Sequence, residues 1–139
     1  MCLFITADLQ LDVATTNAIA QAISTQCELD VFAGEGRFAT VLHFSEEHSC
    51  ACSLLDDSAH WKHECWLLHS EGCALLREAL TWLMEHHAGA WTFEMLWNGA
   101  RSTGELLISA PELLELVRHN QVRNTMTYHV VPSAPPLEH

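Results

Sequence analysis

Positive charge is scarce in this chain of 139 residues: six Lys and Arg stand against 18 Asp and Glu, a formal net charge of −12. A polyanion would be repelled by most of such a surface, which argues against nucleic acid and anionic membrane as partners. Long apolar runs are also missing, and none approaches the roughly eighteen residues that a bilayer-spanning helix needs. The N-terminal stretch MCLFITADLQLD has no basic region ahead of its short apolar run and does not read as an export signal. No P-loop, G-x-S-x-G, H-E-x-x-H or EF-hand pattern occurs, and no internal repeat. No catalytic residue is therefore expected.

Hydrophobic residues make up 49% and charged residues 17%, a balance that excludes a disordered chain. The length predicts one α+β domain over residues 1–131. It is followed by a Pro-rich tail, 132–139, whose end reads as a cloning remnant with the first residue of a purification tag. Six cysteines without an export signal suggest reduced thiols and a cytoplasmic location.

Cys2 to Ala7 reads as a first strand buried on both faces, and Asp12 as the N-cap of a helix burying Val13, Thr16, Ile19, Ala20 and Ile23. Cys27–Ala33 and Arg37–Ser45 read as strands joined by a Gly34-Glu35-Gly36 turn, with a third strand near His48–Leu54 completing a meander. The residues G-E-G-R-F-A match a dinucleotide fingerprint, but they lead into a strand where the phosphate site needs a helix N-terminus. From Ser70 to His87 a wide apolar stripe predicts a helix with Ser70 as N-cap. Trp91–Trp97 alternates with period two, Gly104–Ile108 is strand-like, Ser109-Ala110-Pro111-Glu112 is a capping box, and Thr125–Val131 is a last strand. The order βαβββαββαβ predicts a mixed or mainly antiparallel sheet with helices packed on one face.

Chemistry-bearing residues concentrate in His43–His69, which holds five of the ten histidines and three of the six cysteines. Cys50 and Cys52 would share one face of a strand with His48, while His60, His63 and Cys65 follow a short way on. Zinc takes four nitrogen or sulfur ligands in a tetrahedron, so these six residues are the candidate metal ligands and zinc the candidate cofactor. Reduced core thiols are the plain alternative. A redox pair is the third reading, set back by Glu46, Glu47, Asp56 and Asp57, whose negative charge opposes a thiolate.

Trp61 and Trp66 flank a polar turn and are the candidate interaction surface, or the wall of a small enzyme pocket. The first functional expectation is a small acidic protein that binds another macromolecule in a regulatory or accessory role. Its partner would present a basic surface, and self-association into a homodimer is a further option. The alternative is a metalloprotein with its site between residues 48 and 65.

Overall fold

A computed structural model describes residues 2–36, 39–46 and 50–132. His48, the Arg37-Phe38 part of the first hairpin and the tail from residue 133 lie outside the described residues. Six strands form one sheet: β1 (Leu3–Asp8), β2 (Asp30–Glu35), β3 (Thr40–Ser45), β6 (Trp91–Trp97), β7 (Gly104–Ser109) and β8 (Met126–Val131). Between β3 and β6 lies a separate two-stranded hairpin of β4 (Trp61–Lys62) and β5 (Cys65–Trp66). Three helices, α1 (Val13–Gln26), α2 (Ser70–His86) and α3 (Ala110–Arg118), cover one face of the large sheet. The result is an α+β fold with a mixed, mostly antiparallel sheet.

The strand order is β2-β3-β1-β6-β8-β7, and only β7 and β8 run parallel. That parallel pair is joined by α3, as a parallel connection requires a crossover. Period-two alternation decides which face each residue takes. Ile5 lies between Phe44 and Met95, and Phe93 lies opposite Tyr128, all directed into the core beneath Leu76, Leu80 and Leu83 of α2. None of the three helices is long and apolar enough to cross a membrane.

Several local expectations are revised. β1 is fully buried on one face only, with Leu3, Ile5 and Ala7 inside and Phe4, Thr6 and Asp8 half-buried on the other, because no helix covers that second face. Among the described residues 50–54, the expected third meander strand does not form. Both edges of β3 are taken, by β2 and β1, so the residues after 50 cannot continue the meander against it, and Cys52–Leu54 closes into a 3₁₀ turn. Gly34 and Glu35 belong to β2 rather than to the turn, paired with Val41 and Thr40. Val13 opens α1 but stays 63% exposed, and Thr16, Ala20 and Ile23 carry the buried stripe.

Helix ends follow side-chain chemistry. Asp12 accepts the Thr15 N–H at 2.6 Å, and Ser109 and Glu112 form the reciprocal box predicted for α3. α2 is capped one residue earlier than the sequence suggests, by His69, whose Nδ1 accepts the Gly72 N–H at 2.9 Å. The same ring donates from Nε2 to the Ser53 carbonyl at 2.8 Å, which fixes its tautomer and ties α2 to the 3₁₀ turn.

Candidate functional site

The helix-free face of the sheet is lined by rows of side chains that the strand register places side by side. One row crosses all six strands: Phe32, His43, Thr6, Glu94, Thr127 and Glu105, each the registered partner of the next. The next row holds Asp8, Thr92, His129 and Leu107. Both rows are mostly polar, and Thr6, Asp8, His43, Thr92, Glu94, Thr127 and His129 lie half-buried along an open trough of about 700 Å³, with the exposed Glu105 at its edge. Polar groups there engage one another. Thr127 donates to Glu94 at 2.5 Å, and His129 Nε2 lies 2.7 Å from the Glu105 carboxylate.

His43 organises the β3 end of this face. Its ring stacks on Phe32 with centroids 5.0 Å apart and meets Phe4 edge-on at 5.8 Å. Gly34 permits the stacking, since a Cβ there would come within 2.9 Å of the His43 ring. Nε2 donates to the Glu35 carbonyl at 3.1 Å, and Nδ1 is buried with no partner among the described residues. Burial pushes the imidazole pKa down, against the raising effect of the Glu35 carbonyl. The unfolded chain is then the better proton binder, so stability is complete above the unfolded value of about 6.5 and declines as pH falls below it. Urea titrations at pH 7.5 and 5.5 should show a larger acid loss in the wild type than in His43→Phe, which keeps the stacking without the titration. Equal losses would exclude His43 as the source.

Four carboxylates line the trough, Asp8, Glu35, Glu94 and Glu105, and among the described residues Arg101 is the one permanent cation beside them. With four carboxylates against one arginine, the formal charge of the trough lining is negative. It is the spatial form of the charge imbalance read from the sequence.

A second cluster lies at the N-terminal end of β1. The Sγ atoms of Cys2, Cys50 and Cys52 all lie within 4.8 Å of one another, the one such group of three potential ligands among the described residues. The backbone holds them together: Ala51 N–H donates to the Leu3 carbonyl at 2.9 Å, and Asn98 N–H to the Cys2 carbonyl at 2.7 Å. Leu3 N–H points at the Cys52 sulfur, 3.2 Å away. Burial raises the Cys50 pKa, but hydrogen bonds from Cys52, from the Cys2 thiol and from its own backbone outweigh it and the net shift is downward. Cys52 shifts upward, through burial first and then its bond and charge interaction with Cys50, against the Leu3 N–H. Cys50 is thus the thiol shifted toward the thiolate, with Cys52 and Cys2 both as its hydrogen-bond partners. No disulfide links any of the six cysteines.

His48 lies outside the described residues, and His60, His63 and Cys65 lie elsewhere. His63 occupies the positive-φ tip of the β4–β5 hairpin and is exposed, and His60 sits 6.2 Å from the Trp97 ring. Cys65 is in β5, bridged to Arg123. Among the described residues, none of these three belongs to a ligand trio with atoms that close. Cys2 lies beyond the reach of sequence spacing because its partners are 48 and 50 residues away, and no spacing rule connects the residue before a strand to a distant turn.

The two tryptophans of the hairpin also separate. Trp66 is 1% exposed and donates its indole N–H to the Met95 carbonyl at 2.7 Å, so it belongs to the core. Trp61, 45% exposed, packs edge-on against Trp66 and Trp97. The depression beside it, about 270 Å³, is shallow and formed by residues 57–61 without Trp66. Compared with known proteins, the chain matches no family model, and no curated protein or solved structure matches it either.

Proposed function

We propose that the protein acts by binding a basic macromolecular segment along the helix-free face of its sheet, in a regulatory or accessory role without catalysis. The observation that carries this reading is the open trough in which Asp8, Glu35, Glu94 and Glu105 meet one arginine, Arg101. Lysine or arginine side chains suit it chemically. Their apolar stems can lie on Phe4 and Leu96 while the charged heads reach the carboxylates. An open trough admits an extended segment laid across several strands more readily than a small molecule that must be enclosed. Reduced thiols agree with a cytoplasmic setting.

A Lys/Arg-rich peptide should bind with an affinity that falls steeply as salt rises, measured by fluorescence anisotropy. Exposed charge pairs contribute about 0.5 kcal/mol each, so the variant Asp8→Asn/Glu94→Gln/Glu105→Gln should bind roughly tenfold more weakly. Salt-insensitive binding, or equal affinity in the triple variant, would reject the reading. Self-association through the same face is the competing occupant. It would appear as a dimer in sedimentation that the triple variant alters.

A further inference from the structure

We infer that Cys2, Cys50 and Cys52 form a tri-thiolate site for a thiophilic d¹⁰ metal ion, zinc or cuprous copper, that fastens the start of β1 to the turn before α2. The inference rests on how closely three donors from two distant parts of the chain converge.

Zinc binds thiolate at about 2.3 Å, so two sulfurs of a tetrahedral site lie about 3.8 Å apart. The three Sγ atoms here fall within 4.8 Å of one another, so closing the site needs movements of at most about 1 Å, within reach of thiol rotamers. They are half-buried, shielded from bulk water yet open enough for an ion to enter. Three features suit a metal thiolate better than packing alone. The donors are all sulfur, which selects soft and borderline ions over magnesium or calcium. A backbone N–H, that of Leu3, is directed at Cys52 Sγ, the outer-shell hydrogen bond that moderates charge on a coordinated thiolate. Cys52 also begins the 3₁₀ turn whose Leu54 carbonyl accepts from His69, so the loop carrying two donors is anchored from both sides.

Each thiol that binds releases its proton to solvent, so affinity rises with pH until all three are deprotonated. Three thiolates satisfy a trigonal cuprous ion, whereas zinc takes a fourth donor, which water can supply.

The test uses the full chain, free of added histidines. Zinc alone, and cuprous ion under anaerobic reducing conditions, are supplied in turn, and bound metal is counted after desalting by native mass spectrometry. One equivalent is expected. Cys2→Ser, Cys50→Ser and Cys52→Ser should each weaken binding by more than the roughly 10–100-fold that loss of an outer-shell partner produces. Cys65→Ser and His60→Ala/His63→Ala should retain it. A tetrahedral cobalt spectrum on substitution would assign the zinc form, and uptake of cuprous ion alone the trigonal form.

Thiol alkylation of the wild type guards against variants that fail to fold: bound metal should protect Cys2, Cys50 and Cys52 and leave the protection of Cys27, Cys65 and Cys73 unchanged. Failure of both ions to bind stoichiometrically, or loss of binding in the Cys65 or His60/His63 variants instead, overturns the assignment.

Discussion

Trp66→Ala should lower the unfolding free energy by about 4–6 kcal/mol, enough to unfold a protein whose whole stability lies near 5–15 kcal/mol. The residue looks peripheral, the second position of a two-residue strand, yet it is 1% exposed. Its ring meets Trp97 edge-on at 4.8 Å and Trp61 at 5.9 Å, and its backbone N–H donates to Val122 at 2.9 Å. Its indole N–H also reaches the Met95 carbonyl, one residue beyond the point where β8 stops pairing with β6. Truncation therefore opens a cavity of indole size, about 3–5 kcal/mol, and removes a buried hydrogen bond, about 1 kcal/mol. Trp61→Ala, at a partly exposed ring, should lose no more than about 1–2 kcal/mol. Equilibrium urea unfolding of both variants measures the difference. A Trp66→Ala loss below about 2 kcal/mol would show that the hairpin is not part of the core.

The second large effect runs against a propensity rule. Alanine for glycine in a helix ordinarily stabilises by up to about 1 kcal/mol, and Gly72 lies in the first turn of α2. Gly72→Ala should nevertheless destabilise by about 2–3 kcal/mol. A Cβ there would sit 2.7 Å from the Leu54 carbonyl oxygen and 3.2 Å from Leu54 Cα, both backbone atoms that cannot swing aside. The helix would have to move off the 3₁₀ turn that His69 binds. Gly104→Ala is the control, because its nearest neighbour is the flexible Met126 side chain at 3.3 Å. It should fall within about 0.5 kcal/mol of the wild type. Thermal melts of the two would test the sign, and a stabilised Gly72→Ala would show that α2 and the turn are not in firm contact.

The fold was legible wherever one local period governed a segment. Trp91–Trp97 faces the core through Trp91, Phe93 and Met95 because alternation alone decides it, and Ser109-Ala110-Pro111-Glu112 begins α3 because its cap is local chemistry. What could not be read depended on the sheet's order. The stretch after Ser45 has strand-like composition, but β3 has no free edge to offer it, and that follows from where β1 lies. The candidate sites divide in the same way. Cys50 and Cys52 stood out by density, whereas Cys2 joins them through the position of β1. The trough draws Asp8, Glu35, Glu94 and Glu105 from four strands, of which the sequence conveys only the total charge.

The placement of β1 also bears on how the chain folds. Residues 3–45 supply β2, β3 and β1, and residues 91–131 supply β6, β8 and β7, so each half of the sheet can pair among near neighbours in sequence. The halves meet only along β1 and β6, from Leu3 against Trp97 to Asp8 against Thr92. That seam closes a loop of more than eighty residues and carries the largest ordering entropy in the sheet, which makes it the step expected to limit folding speed. On the ribosome the first strand made must wait, with one edge open, for one of the later ones, and in that interval the nascent chain is most exposed to pairing with another copy.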